Sequence, residues 1–277
     1  MNLLSEIISS KQRRVDQAKK LVSLEQMRAL ASEAREYAKA HALFKALSDE
    51  SKINIIAEFK RRSPSKGEIR RDADPVITAR AYESAGAAAV SVLTEEDYFG
   101  GSLDDLRAVR KTVSLPILRK DFVFDEYQVY ESAAAGADAV LLIVATLDDE
   151  ALGRLRRLTE DELGMDALVE VHAAAEMNRA AACGARVIGV NNRDLQTFEV
   201  LLETSVQLSP IAPQGSLLIS ESGIASAGDI RRLRSVGYRA FLIGESLMSA
   251  DDPGEALGRF TQRRKGAKEV GASEWPK

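Results

Sequence analysis

The chain contains a single cysteine and two histidines among its 277 residues. Cys183 by itself excludes an internal disulfide and a cysteine cluster for zinc. His41 and His172 are too few for a histidine-based metal site. We therefore interpret both as ordinary loop or surface residues and expect no bound metal.

Strong net charge and long apolar runs are also missing. The formal net charge is -4 and the pI is about 5.5, which argues against a nucleic-acid-binding surface. No apolar run reaches membrane-spanning length, and residues 1–6 lack the basic start and apolar core of a signal peptide. We expect a cytoplasmic protein with no nucleic-acid partner and no membrane contact.

The first 63 residues contain neither glycine nor proline. The absence of both residue types favours helix. Apolar residues also recur there with helical spacing, as at Leu3, Leu4, Ile7 and Ile8. We predict two or three helices over residues 1–50, ahead of the first strand.

Beyond residue 51 one pattern occurs four times. A glycine follows an amphipathic stretch, and an apolar run begins shortly after it. The intervals between these glycines are 50, 48 and 53 residues, and the four are Gly86, Gly136, Gly184 and Gly237. Because a strand, a helix and their loops need roughly 25 residues, each interval has room for two βα units.

Other apolar runs lie halfway between these glycines and bring the number of predicted strands to eight. They span residues 53–60, 89–93, 115–120, 139–144, 167–171, 187–191, 217–221 and 240–244. This pattern predicts an α/β fold, a (β/α)8 TIM barrel with an N-terminal helical extension. An open doubly wound sheet is the competitor, but no G-x-G-x-x-G follows the first run. We expect a single domain over 1–277, with the extension at 1–50, the barrel at 51–260 and a polar tail at 261–277.

Charged and polar residues stand where the predicted strands finish. In a barrel of this kind, the loops after the strands build the catalytic face. The residues concerned are Glu58, Lys60, Lys120, Glu170, Asn191 and Glu221. A single charge at a strand end is often a solvated residue or half of an ion pair. Six such residues at one mouth favour an active site.

Small residues follow the last two predicted strands. Ser222 and Gly223 follow strand 7, whereas Gly244, Glu245 and Ser246 follow strand 8. Loops at these places, together with a short helix N-terminus, commonly bind phosphate through backbone N–H groups. Tight turns alone would also use glycine, but both loops carry it, so we favour a phosphate site.

Lys60 and Lys120 are candidate proton donors. If they face each other across the mouth, each lowers the pKa of the other. One of them then becomes a usable general acid near neutral pH. A barrel lysine can also form a Schiff base, so a class I aldolase stays open at this point.

The segment 58–67, Glu-Phe-Lys-Arg-Arg-Ser-Pro-Ser-Lys-Gly, resembles the E-x-K-x-x-S-P-S-x-G signature of the indole-3-glycerol phosphate synthase family. The similarity covers residues 40–250, and it includes segments 118–122, 168–171, 188–195, 220–224 and 242–248. The resemblance implies a lyase of tryptophan biosynthesis. It would convert 1-(2-carboxyphenylamino)-1-deoxyribulose 5-phosphate into indole-3-glycerol phosphate with loss of CO2 and water. It also implies no metal or organic cofactor, and we expect a monomer whose partner is this small phosphorylated substrate.

The resemblance further implies catalytic roles. Lys120 would protonate the substrate ketone. Lys60 would hold the substrate carboxylate, and either Lys60 or Glu170 would serve each proton transfer in the later dehydration. Glu58 would orient a lysine and a sugar hydroxyl.

The implied binding residues fall into two groups. The first contacts the rest of the substrate and comprises Ser63, Phe122, Leu141, Asn191, Arg193, Leu195 and Glu221. The second contacts the phosphate and comprises Ser222, Gly223, Gly244, Glu245 and Ser246. Phe122, Leu141 and Leu195 would form an apolar slot with Phe99, closed by the N-terminal helices. Glu245 departs from relatives that have a small hydroxyl residue there, so its side chain should turn away from the phosphate.

Three alternatives are distinguishable. A phosphoribosylanthranilate isomerase would need a Cys and Asp pair at strand ends, but Cys183 precedes strand 6. A Schiff-base aldolase would be trapped by borohydride with a triose phosphate. A non-catalytic barrel would have lost Lys120 or Glu170, and both are present.

Overall fold

The computed structural model describes residues 3–195 and 197–261, so the predicted tail lies outside the described residues apart from position 261. The chain begins with helices, as its lack of glycine and proline predicts. They are α1 Leu3–Leu21, α2 Leu24–Arg35 and α3 Ala42–Leu47. α2 begins at a capping box in which Ser23 and Gln26 exchange hydrogen bonds. Within the described residues, no helix is long and apolar enough to cross a membrane.

Eight parallel strands form a closed barrel. They are β1 Asn54–Phe59, β2 Ala89–Leu93, β3 Ile117–Lys120, β4 Ala139–Ile143, β5 Asp166–Val171, β6 Val187–Asn191, β7 Leu217–Glu221 and β8 Ala240–Ile243. Closure occurs at β1, where Ala57 lies between Val90 of β2 and Ile243 of β8. The predicted TIM barrel is confirmed, and the predicted strand ends agree with the observed ones to within two residues.

Helices follow the strands and cover the barrel. They are α4 Pro75–Ser84, α5 Leu103–Arg110, α6 Glu126–Ala134, α7 Asp149–Arg157, α8 Ala174–Ala182, α9 Glu203–Leu208, α10 Ala227–Ser235, α11 Glu245–Met248 and α12 Pro253–Thr261. The glycines of the repeat follow α4, α6, α8 and α10 in left-handed conformations, with φ between 79° and 102°. This confirms their predicted place at helix ends.

Apolar side chains pack on both sides of the barrel wall. The inner cluster contains Leu118, Leu168 and Leu43 and Leu47 of α3. Both α3 leucines are fully buried, and the Leu47 carbonyl accepts a hydrogen bond from Asn54 at the start of β1. α3 therefore closes the N-terminal end of the barrel, and each buried leucine contributes roughly 1.5–3 kcal/mol. The opposite end, where the strands finish, stays open.

The helix α1 is fixed beside this open end. Its buried residues Ile7, Lys11 and Val15 are spaced by four and so share one face. The ammonium of Lys11 lies 2.6 Å from Glu96 Oε2, after β2, and 3.0 Å from Asp121 Oδ1, after β3. Two ion pairs of the buried Lys11 thus join the N-terminal helix to loops of the catalytic face.

Candidate active site

A cavity of about 730 Å³ opens at the carboxyl ends of the strands. Its volume is typical of sites that enclose a small molecule. Every site residue predicted from the sequence lines this cavity: Glu58, Lys60, Ser63, Lys120, Phe122, Leu141, Glu170, Asn191, Arg193, Leu195, Glu221, Ser222, Gly223, Gly244, Glu245 and Ser246. Residues up to 188 positions apart therefore meet, because parallel strands end on one face.

Lys120 is held between two carboxylates. It ends β3, and its Nζ donates a hydrogen bond of 3.0 Å to Glu170 Oε2 of β5. Glu221 Oε2, at the end of β7, lies 3.4 Å from the same nitrogen. Only 2% of either glutamate side chain is exposed, so water screens these charges little.

The pKa of Lys120 is raised, contrary to the sequence-based expectation. Burial lowers this pKa, but the charges of Glu170, Glu221 and Glu58 outweigh burial. The predicted lowering by Lys60 is wrong because the Lys60 ammonium pairs instead with Glu58 Oε1 at 2.7 Å. Lys120 is consequently an ammonium at neutral pH.

The two carboxylates beside Lys120 differ in their affinity for a proton. Burial raises the pKa of Glu170, but the Lys120 ammonium and the His172 imidazole outweigh burial and lower it. Burial raises the pKa of Glu221, and the Glu170 charge adds to that effect. Neither Glu221 carboxyl oxygen has a hydrogen-bond partner in the described part of the chain. Glu170 is thus the ionised member of the pair, and Glu221 the one that favours the neutral acid.

Two glycines leave room for the carboxyl groups of Glu221 and Glu58. A Cβ on Gly189 of β6 would lie 2.0 Å from Glu221 Oε1, and a Cβ on Gly244 would lie 2.3 Å from Glu58 Oε1. Both distances are far below a normal contact, so any larger residue would displace a carboxyl group. Gly244, predicted only as a phosphate ligand, therefore also makes space for Glu58.

The loop after β7 has an unusual backbone. Ser222 and Gly223 both have positive φ, 66° and 76°. A left-handed serine is uncommon, and such residues cluster at ligand-binding sites. A Cβ on Gly223 would lie 2.5 Å from Val200 Cγ1. α11 begins at Glu245, so the first N–H groups of that helix have no intrahelical acceptor.

The carboxylate of Glu245 binds two cations. Glu245 Oε1 lies 3.2 Å from Lys66 Nζ, and Glu245 Oε2 lies 3.2 Å from Arg193 Nη2. The three groups together carry a net charge of +1, so this part of the cavity stays positive. Lys66 belongs to the 58–67 segment but was not predicted as a site residue.

Apolar side chains line another part of the cavity. The rings of Phe99 and Phe122 lie 6.2 Å apart between centroids, tilted by 44°. Leu3, Leu4 and Ile7 of α1 also line the cavity. The sequence indicated that N-terminal helices help to close this slot, but it did not single out these three residues.

His172 is more closely connected to the site than the sequence suggested. It is a loop residue directly after β5, as expected, but only 13% of its side chain is exposed. Its Nε2 lies 3.4 Å from Glu170 Oε1. The sequence contained one indication of this contact, because Glu170 and His172 are two residues apart and residues two apart on a strand share a side. His41 lies at the other end of β5, 3.3 Å from Asp166 Oδ1.

Comparison with known proteins gives a consistent result. Residues 4–260 match the family described as indole-3-glycerol phosphate synthase. An indole-3-glycerol phosphate synthase from Carboxydothermus hydrogenoformans is 48% identical over 92% of this chain and 97% of the relative. That of Syntrophobacter fumaroxidans is 47% identical over 94% and 97%. The solved structure of 3-hexulose-6-phosphate synthase from Salmonella typhimurium has a TM-score of 0.61 at 13% identity, over 75% of this chain and 96% of that one. The structural likeness supports the barrel fold alone.

Proposed function

The chain belongs to the indole-3-glycerol phosphate synthase family, and we propose that Lys120 is the general acid of its ring-closing reaction. The enzyme is a carboxy-lyase of tryptophan biosynthesis that acts on a small phosphorylated substrate. It converts 1-(2-carboxyphenylamino)-1-deoxyribulose 5-phosphate into indole-3-glycerol phosphate, CO2 and water. The position of the Lys120 ammonium between Glu170 and Glu221 carries the proposal.

Lys120 acts when the aromatic ring attacks the sugar. The ring carbon that bears the carboxylate bonds to the ketone carbon, and the ketone oxygen gains negative charge. A buried ammonium stabilises that charge strongly, because little water screens it. The alkoxide is basic enough to take a proton even from a lysine of raised pKa. Loss of CO2 then restores the aromatic ring.

The remaining charges serve the carboxylate and the dehydration. Lys60, aligned by Glu58 at 2.7 Å, holds the substrate carboxylate. Glu170 takes the proton from the carbon beside the amine, because it is the ionised carboxylate of the pair. Glu221, which favours the neutral acid, binds a sugar hydroxyl and the amine together with Asn191. Lys60 donates to the departing hydroxyl.

The aromatic end of the substrate contacts the apolar lining of the cavity, and the phosphate end contacts its polar loops. The anthranilate ring lies in the apolar slot of Phe99, Phe122, Leu141 and Leu195. The phosphate lies at the loops after β7 and β8, where the left-handed Ser222 and the first turn of α11 support an anion site. Ser63 in the loop after β1 completes this end.

We also propose one domain over 1–277 in which the N-terminal helices belong to the catalytic unit. The ion pairs of Lys11 and the contribution of Leu3, Leu4 and Ile7 to the cavity support this proposal. We further propose that the protein is a cytoplasmic monomer. Its membership of a biosynthetic family supports the cytoplasmic location.

One assay tests the proposed function. The purified protein is supplied with the anthranilate-derived ribulose phosphate, and indole fluorescence and released CO2 are followed together. Lys120→Met should lower kcat by about 10³-fold or more, with substrate binding largely kept. Lys52→Met is the control, because Lys52 is exposed and its ion-pair partner among the described residues is Asp49, three positions away. Folded wild-type protein that forms no indole product would refute the proposal, and equal loss of binding and turnover would make Lys120 a binding residue. Borohydride trapping with a triose phosphate would reveal an aldolase instead.

A further inference from the structure

His172 contacts Glu170 from outside the cavity. Glu170 lines the cavity and His172 does not. Both side chains leave the same side of the chain, because the residues are two apart at the end of β5. Any effect of His172 on the reaction must therefore pass through Glu170.

The imidazole of His172 lies between two carboxylates. Glu176 Oε2, in the first turn of α8, accepts a hydrogen bond of 2.7 Å from the His172 backbone N–H and lies 3.3 Å from Nδ1. On the other side, Nε2 is buried, makes no hydrogen bond within the described residues, and has Glu170 Oε1 at 3.4 Å. A proton on Nδ1 faces Glu176. A proton on Nε2 is favoured as well, because a carboxylate oxygen lies only 3.4 Å from this nitrogen.

The surrounding charges favour the doubly protonated ring. Burial lowers the pKa of His172, but the hydrogen bond to Glu176 and the charges of Glu170 and Glu176 outweigh burial and raise it. Glu221 of β7 adds to this effect only when it is ionised, whereas Lys120 lies beyond Glu170. The geometry and the charges thus agree on an imidazolium beside Glu170.

The reaction needs a supply of protons at this place. The substrate carboxylate leaves as neutral CO2, so each turnover consumes a proton from solvent. Lys120 loses its proton to the ketone oxygen, which later departs as water. Glu170 contacts Lys120 through Oε2 at 3.0 Å and His172 through Oε1 at 3.4 Å. One carboxyl group thus connects the general acid to the imidazolium.

We propose that His172 is a positioning residue that orients Glu170 toward Lys120 and supplies the proton that recharges Lys120. The His172 Nε2–H bond breaks and an O–H bond forms on Glu170. Rotation of the carboxyl group presents this proton to the neutral Lys120 amine, where the O–H bond breaks and an Nζ–H bond forms. Glu170, ionised again, takes the carbon proton in the later dehydration and returns it to Nε2 of the neutral imidazole. The one proton that each turnover consumes from solvent recharges Lys60, whose side chain is partly exposed. The inference rests on the proposed function of Lys120.

The protonation state of His172 is tested without any turnover. The chain has only two histidines, so 15N spectra of the full-length protein are assigned by comparison with His172→Gln and His41→Gln. We expect His172 to titrate above about 6.5, the ordinary value, and to carry protons on both nitrogens below that titration. Glu170→Gln should move that titration to lower pH. A His172 that titrates at or below the ordinary value, or that does not respond to Glu170→Gln, overturns the proposal.

Kinetics test the proton supply, with His41 as the matched control. His41 also lies against a carboxylate, but at the closed end of the same strand. His172→Gln should lower kcat about 10- to 100-fold with KM little changed, and it should remove the fall in kcat that accompanies loss of the imidazolium as pH rises. His41→Gln should leave kcat and its dependence on pH unchanged. Imidazole buffer should restore part of the rate of His172→Ala but not affect His41→Ala.

The two proposals fail in different ways. A wild-type enzyme that makes indole product, beside a folded His172→Gln variant with the wild-type kcat and pH profile, overturns the role of His172 alone. A folded wild-type enzyme that makes no product overturns the proposed function. Circular dichroism establishes folding of each variant, and the smaller change His172→Asn replaces His172→Gln if that variant unfolds.

Discussion

The substitution Gly189→Ala should disable the site without touching a charged residue. The added Cβ would lie 2.0 Å from Glu221 Oε1 and 3.0 Å from Leu168 Cδ1. A carbon and an oxygen that do not bond stay more than 3 Å apart, so the carboxyl group must move by roughly 1 Å or more. The Glu221 carboxylate lies 3.4 Å from the Lys120 ammonium, so this movement disturbs that pair.

The expected effects follow from this displacement. A misplacement of about 1 Å can lower kcat about 100-fold, which corresponds to about 2.7 kcal/mol of activation free energy. Crowding in a packed interior costs a further 1–3 kcal/mol or so of unfolding free energy. The assays are steady-state indole fluorescence and denaturant unfolding. Gly153→Ala on α7 is the control, because a Cβ there meets only the mobile end of Arg157 and alanine favours helix.

A double-mutant cycle isolates the cause. In a Glu221→Ala background the clash with the carboxyl group is absent and only the looser contact with Leu168 remains. Gly189→Ala should therefore cost much less unfolding free energy there than it does in the wild type. Equal costs in both backgrounds would show that the crowding is elsewhere. A folded Gly189→Ala enzyme that keeps kcat within about threefold of wild type would refute the placement of Glu221 in the reaction.

Three further results are expected. Glu245→Ser removes the carboxylate that pairs with Arg193, so KM and the inhibition constant of inorganic phosphate should fall about 3- to 10-fold at low salt and less at high salt. A higher KM would contradict this expectation. Lys11→Met leaves Asp121 without one of its buried partners, so the free energy of unfolding should fall by about 3–5 kcal/mol and KM should rise. Lys20→Met, on the exposed side of the same helix, should change neither the unfolding free energy nor KM. Burial raises the pKa of Asp121, but its cationic neighbours outweigh burial and lower it. The stability that Lys11 contributes should therefore persist above about pH 4 and disappear as pH falls further. Denaturant unfolding of wild type and Lys11→Met at several pH values measures this dependence.

Much of the fold was predictable because its signals are local and repeated. The recurring glycines mark helix ends, and the apolar runs between them mark buried strands. Since parallel strands all finish on one face, the residues at their ends had to meet, and all sixteen predicted site residues line the cavity. The contact of Lys60 with Glu58 is consistent with their spacing, since residues two apart on a strand share a side. The contacts between strands were not predictable, because no short-range pattern states that Lys120 lies between Glu170 and Glu221.

Local sequence patterns were sufficient to predict the barrel, its open face and the chemical groups gathered there, because strand period and helix-ending glycines depend on neighbouring residues. Tertiary structure decided what those groups do. A pKa depends on burial and on charges a few ångströms away, and those charges come from distant positions. Lys11 meets Asp121 across 110 residues, Gly189 makes space for Glu221, and His172 lies behind Glu170. Lys120, expected to have a lowered pKa beside Lys60, has a raised one instead, because packing surrounds it with carboxylates.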